Sequence, residues 1–192
     1  MEPLLLVVLI VLNGFFAMSE IALVSARRAR LQPLAEAGDS SARLAVELGS
    51  EPTRFLSTIQ IGITSIGLLN GIYSEAIFAA PLAAWLQTFG LEEKASAFLA
   101  TAVIVMTVTY VSIVVGELVP KRLGQHNSEA IARLIAWPMR LLARISAPFV
   151  SLLSLSTDAI LKPLLAFLRV RPMAAGAQPL SAEEIRTLVL ES

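Results

Sequence analysis

The stretch GELVPKRLG, Gly116 to Gly124, places an acid, a proline and two cations at the end of a long apolar run. Pro120 has no N–H to offer the carbonyl four residues back, that of Gly116, and its ring forces that turn open. A freed carbonyl beside the carboxylate of Glu117 puts two oxygens of different charge at one point of the chain. Irregular backbone at membrane depth is tolerated only where protein or a polar cavity satisfies it, and interrupted helices with free carbonyls coordinate ions in transporters. The same residues admit a plainer reading, in which Pro120 ends a helix at the interface and Glu117 pairs with Lys121 one turn on.

The other polar residues within apolar runs are Asn13, Ser19, Glu20 and Ser25 in the first and Ser57, Thr58, Gln60, Thr64, Ser65, Asn70, Ser74 and Glu75 in the second. Thr101, Thr107, Thr109 and Ser112 join Glu117 in the third. Nearly all are oxygen donors, a set that suits a hard cation better than a transition metal. Asn13 and Glu20, seven residues apart, share a helix face, while Ser19 points elsewhere. Glu20 reads as a ligand-side residue or as the partner of an arginine, and Glu75 as a solvated end residue. Asn70 can bridge helices by hydrogen bonds or give an oxygen to an ion. Gly62, Gly67 and Gly71 thin the second run, and the Gly67/Gly71 spacing is a close-packing pattern.

These residues need a membrane to sit in, and the composition supplies one. Of 192 residues 56% are hydrophobic and only 16% charged, with a mean hydropathy of +0.73, outside the range of soluble domains. Fifteen basic residues balance fifteen acidic ones, so no basic field attracts nucleic acid, and no glycine fingerprint for a nucleotide is present. The lack of cysteine excludes disulfides and thiolate chemistry. His126, the only histidine, reads as an ordinary interfacial residue. A serine hydrolase lacks its base within the spans and an aspartyl dyad lacks its second aspartate, since Asp158 stands alone there, so no enzyme is expected.

Spanning length is reached at about 3–26, 55–82 and 95–119. A fourth apolar segment, 145–168, is interrupted by Pro148, Asp158, Lys162 and Pro163, which favours an interfacial or re-entrant course. Arg27, Arg28, Arg30, Arg43 and Arg54 follow the first span, and Lys121, Arg122, Arg133, Arg140 and Arg144 follow the third, against Lys94 alone between second and third. By the positive-inside rule the amino terminus is outside and the carboxyl terminus cytosolic, in the plasma or bacterial inner membrane. Between the first two spans, residues 27–51 alternate charge with leucine and alanine and break at Gly38-Asp39, the pattern of two short amphipathic surface helices. Residues 121–168 complete the interfacial belt of a membrane domain over 1–170. Residues 171–192 read as a linker and the start of a truncated cytosolic acidic helical segment, opened by a capping box at Ser181 and Glu184.

Three stretches together, NGFFAMSEIALVSARRARL at Asn13 to Leu31, LSTIQIGITSIGLLNG at Leu56 to Gly71 and GELVPKRLG, closely resemble the transmembrane domain of the CorC/CNNM (cyclin M) family of magnesium transporters. The resemblance implies an all-α membrane fold of three transmembrane helices with juxtamembrane helices on the cytosolic side, assembled as a homodimer in the bilayer. It implies Mg²⁺ export in exchange for Na⁺, the ion being bound largely dehydrated between the three spans. ATP would bind only to cytosolic modules that this stretch lacks. Carried over by motif, the ion's ligands are Ser19 and Ser25, Ser65 and Asn70, and Gly116 with Glu117, with Pro120 as the structural helix break. A membrane anchor for a cytosolic regulatory module and a passive divalent-cation channel are the alternative readings.

Overall fold

The computed structural model describes residues 2–50 and 52–168, and every element in them is helical. The linker and capping-box helix expected beyond residue 171 lie outside the described residues. The chain divides into two compact units, Met1–Val150 and Ser151–Ser192, and the described part of the second is the end of one long, exposed helix.

Helix α1, Glu2–Ser25, is Leu/Val-rich from its start, and Leu6, Leu9, Asn13, Phe16 and Ala17 are buried at spacings of three and four along one stripe. Helices α2, Arg28–Glu36, and α3, Ser40–Ser50, form a short hairpin. Gly38 turns it at φ +98°, a left-handed conformation that costs glycine little. Asp39 then opens α3, its Oδ1 accepting the N–H groups of Ser41 at 2.9 Å and Ala42 at 3.0 Å. Helix α4, Pro52–Gln87, starts on a proline suited to a first turn and runs 36 residues, about 54 Å, well beyond a bilayer's hydrocarbon thickness. Gly90, at φ +87°, turns the chain into α5, Glu93–Ile113, which packs back along α4. Gln87 Nε2 donates to Ser96 Oγ at 3.2 Å across that turn.

Pro120 does not end the third run. A π turn, Val114–Leu118, follows α5 directly and passes into α6, Val119–His126, where Pro120 is the second residue. Within it the Val119 N–H reaches five residues back, to the Val114 carbonyl. The wider turn takes up the proline ring that an α turn would exclude, so the helical path continues to His126 rather than stopping near residue 119. Helix α1 packs against α4 on one side and against the π turn and α6 on the other.

Helix α7, Ser128–Phe167, is a single helix of 40 residues. Its buried residues Ala132, Ile135, Ala136 and Met139 join one core with Leu31 and Ala35 of α2, Leu44 and Ala45 of α3, Leu9 and Phe16 of α1, and Phe55 and Ile59 of α4. Ion pairs accompany that packing, Arg30 with Glu129, Asp39 with Arg133 and Glu47 with Arg140. Among the described residues four helical stretches are long and apolar enough to cross a membrane, where the sequence suggested three: Pro3–Ser25, Phe55–Gln87, Glu93–His126 and Ser128–Leu165. The last has the lowest mean hydropathy, 1.2 against 2.3 for the first and third.

Asp39 links the α2–α3 turn to α7. The Ala42 amide, with Arg133 and the Ser41 amide adding to it, holds the Asp39 carboxyl below its ordinary value of 3.8 against the opposing effect of desolvation. A carboxyl lowered in the folded state stabilises fully above its unfolded pKa, and that contribution disappears as pH falls through the folded one. Asp39→Asn is therefore expected to be the less stable protein at neutral pH, with the gap to the parent closing below pH 3.8. Thermal unfolding followed by circular dichroism between neutral pH and pH 3 checks this, and a gap that stays constant overturns it.

Candidate functional site

The π turn exists because Pro120 follows it, and its environment is set by α1. Gly116 is buried there. A Cβ at this position would come 3.3 Å from the Ile10 carbonyl oxygen and 3.4 Å from Asn13 Nδ2, so the helices meet backbone to backbone. Asn13 Nδ2 donates to the Gly116 carbonyl at 2.9 Å. The carbonyl that Pro120 deprives of its α-helical donor is thus partnered from α1. A carbonyl can only accept, so the amide nitrogen of Asn13 must face it, and Asn13 Oδ1 is left buried with no donor.

Asn13 also lines a cleft of about 220 Å³ between α1, α4, α5 and the π turn. Its polar lining comprises Asn70 and Ser74 from α4, Thr109 and Ser112 from α5, and Glu117 from the π turn. Asn70 is 2% exposed, and its Oδ1, like Ser112 Oγ, is buried without a hydrogen-bond partner. Ser74 is satisfied locally, its hydroxyl donating to the Gly71 carbonyl at 2.9 Å. Three unpartnered buried oxygens from three helices therefore line one cleft with a carboxylate. Buried polar atoms without partners are rare and call for an occupant such as water or an ion.

Below the cleft Lys121 Nζ lies 2.8 Å from Glu117 Oε1 and 3.3 Å from Glu20 Oε2. Glu20 and Asn13, seven residues apart on α1, thus face α6 and the π turn respectively, and the partner of Glu20 is this lysine rather than an arginine. Each reading of GELVP holds in part: the turn before Pro120 is opened, but its Gly116 carbonyl is taken by Asn13, and Glu117 pairs with Lys121 although Pro120 does not end the helix.

Of the residues assigned by motif, the structure brings Asn70 and Glu117 to the cleft and places Gly116 beside it, bonded to Asn13. Ser19 is fully buried and donates to the Phe15 carbonyl at 2.6 Å. Ser25 and Ser65 are exposed, and none of the three serines lines the cleft. Gly67 and Gly71 border the cleft, and a Cβ added at either would meet no atom within 4 Å, so they leave space rather than admit a neighbouring backbone. The close approaches fall elsewhere, at Gly62 on the Phe16 ring, Gly14 on Pro120 and Gly124 on the Met18 carbonyl. Asn13, Ser112 and Thr109 are visible in the sequence as polar residues in spans, but nothing local singles them out. Among the described residues no three His, Cys, Asp or Glu side chains gather as a metal site, and the polar lining of the cleft consists of neutral amides and hydroxyls with one carboxyl side chain.

The cyclin M transmembrane N-terminal domain matches residues 4–192 of the chain. UPF0053 protein sll0260 of Synechocystis is 43% identical over 189 residues, spanning 98% of this chain and 41% of its own length. UPF0053 protein YhdT of Bacillus subtilis is 35% identical over 98% of this chain and 40% of its own length. The polyamine export protein of Escherichia coli is 31% identical over 147 residues, 77% of this chain and 33% of its own. The chain thus spans well under half the length of these relatives.

Proposed function

The chain is a multi-pass membrane protein that belongs to the cyclin M transmembrane-domain family, and on that premise we propose that it is the membrane domain of a Mg²⁺ transporter. The observation that supports this most is the set of unpartnered oxygens, Asn13 Oδ1, Asn70 Oδ1 and Ser112 Oγ, lining one cleft with Glu117. Mg²⁺ takes six oxygens at about 2.0–2.1 Å and sheds water reluctantly. Neutral amide and hydroxyl oxygens with one carboxylate replace part of that shell while leaving net positive charge, which favours release. The proposed ligand set is Asn70 and Glu117 with Asn13 and Ser112; Ser19, Ser25, Ser65 and the Gly116 carbonyl would join only after a rearrangement of α1 and α4. Exchange against Na⁺, export as the direction and a homodimeric assembly belong to the same proposal.

The proposed topology is three crossings, with α7 along the cytosolic interface. Glu129, Arg133 and Arg140 lie within about 60° of one another around α7, and all three pair with the α2–α3 hairpin. A face so committed to surface helices suits an interfacial course.

A second reading is export of an organic polycation, the substrate class in the name of the E. coli relative. It is favoured by Lys121, whose primary ammonium already sits between two carboxylates. Thermal unfolding of the chain in detergent, across a Mg²⁺ series and a spermidine series, separates the two. A ligand that binds only the folded state stabilises it by about 2.7 kcal/mol at a hundredfold excess over Kd. A Mg²⁺-dependent rise, absent in Glu117→Gln, is the expected result. A rise with spermidine alone supports the second reading, and no rise with either ligand overturns both in favour of a membrane anchor.

A further inference from the structure

Glu117 has two roles that compete. It is the only acidic or basic side chain among the described residues lining the cleft, yet its Oε1 is held by Lys121 at 2.8 Å. The same ammonium is 3.3 Å from Glu20 Oε2, which is buried and lacks a well-aligned hydrogen bond. Glu20, Glu117 and Lys121 are 24%, 36% and 31% exposed at their side chains, so solvent screens the group only partly. Two negative charges and one positive leave a net charge of −1, and a divalent cation would make it +1. An ion bound to Glu117 Oε1, the oxygen that Lys121 holds at 2.8 Å, at about 2.1 Å would lie no more than about 5 Å from Nζ, a repulsive distance for like charges in a partly dehydrated site.

We propose that Lys121 is a tethered cation that competes with the transported ion for Glu117, and that Glu20 holds it in reserve while the ion is bound. The inference rests on the cation-transport reading above and adds a specificity and release determinant to it. Lysine suits the task because its compact ammonium rides on four flexible methylenes and can shift from one carboxylate to the other. When the ion loads, Lys121 keeps Glu20, so the displacement does not strand a buried charge. When the ion leaves, Lys121 again bridges Glu117 and Glu20, so each carboxylate of the empty carrier keeps a contact with the ammonium. The ammonium thus weakens ion binding and speeds ion departure.

The test is Mg²⁺ binding to the full chain in detergent, by titration calorimetry, for the parent, Lys121→Met, Lys121→Arg, Glu20→Gln and Glu117→Gln. Lys121→Met removes the competitor at nearly constant length and is expected to bind Mg²⁺ about tenfold or more tightly. Lys121→Arg retains the charge and should stay within about threefold of the parent. Glu20→Gln leaves Lys121 committed to Glu117 and should bind several-fold more weakly, a loss cancelled by adding Lys121→Met. A purely structural lysine would not produce tighter binding. Unchanged or weaker binding by a helical Lys121→Met, with binding still abolished in Glu117→Gln, overturns this inference and leaves the transport reading standing. Should Lys121→Met not fold, unchanged binding by Glu20→Gln overturns it equally. Absence of Mg²⁺ binding in the parent and in every variant overturns both.

Discussion

Gly124→Ala is expected to destabilise the chain by about 1–3 kcal/mol, the usual cost of overfilling a packed contact. A Cβ at this position would strike Ile21 Cγ2 and come 2.8 Å from the Met18 carbonyl oxygen. The second contact is decisive, because a carbonyl of α1 cannot turn aside as a side-chain end can. Ile21 gives little relief, since a β-branched side chain in a helix has one strongly preferred rotamer. The substitution must therefore push α6 off α1, and α6 brings Lys121 with it, away from Glu20. Intrinsic propensity works in the opposite direction, as alanine is favoured over glycine in a helix by about 1 kcal/mol. Gly49→Ala supplies the comparison, because a Cβ there meets nothing within 4 Å and the propensity gain is unopposed. Thermal unfolding in detergent should show Gly49→Ala at or above the parent and Gly124→Ala clearly below it. Equal behaviour of the two would mean that α1 and α6 are not in backbone contact.

What the sequence made legible, and what it did not, divides along the range of the interactions. The apolar runs, the Gly38-Asp39 break and the opened turn before Pro120 are decided within a few residues, and all three are legible in composition and spacing alone. The distance over which the turn is absorbed is less so: proline forbids an α turn but does not dictate whether the helix stops or widens, and a π turn lets it run on to His126. The glycines show the limit most clearly. The Gly67/Gly71 spacing matches a packing motif, yet those positions border open space, while Gly14, Gly116 and Gly124, which match no such spacing, take the close contacts with neighbouring helices. Spacing states where a surface is flat, not which partner meets it. Serine is ambiguous for a related reason. Ser19 could point a hydroxyl at an ion, or return it to the carbonyl four residues back, and the structure has the second.

Asn13→Leu is expected to cost about 1–3 kcal/mol, the penalty for stripping a buried acceptor of its donor, and to abolish divalent binding in the cleft. The Gly116 carbonyl, 103 residues away in sequence, is the acceptor left behind. Its dependence on Asn13 is a consequence of Pro120: a residue with an N–H at position 120 could donate back to residue 116 as in any α-helix, and proline cannot. The two effects should therefore be coupled rather than additive. In a Pro120→Ala background an amide becomes available to Gly116, the turn can relax toward α geometry, and Asn13→Leu should lose much of its cost. A double-mutant cycle on unfolding free energies measures this directly, and contacts within one hydrogen-bond network give interaction energies of about 0.5–3 kcal/mol. Ion binding should not be rescued in the double variant, because Asn13 Oδ1 is gone and Glu117 is turned with its helix. Recovery of stability without recovery of binding would separate the two tasks of this asparagine, which holds the opened turn with its nitrogen and faces the cleft with its oxygen. Strict additivity would show instead that the Gly116 carbonyl finds a donor whichever residue occupies position 13.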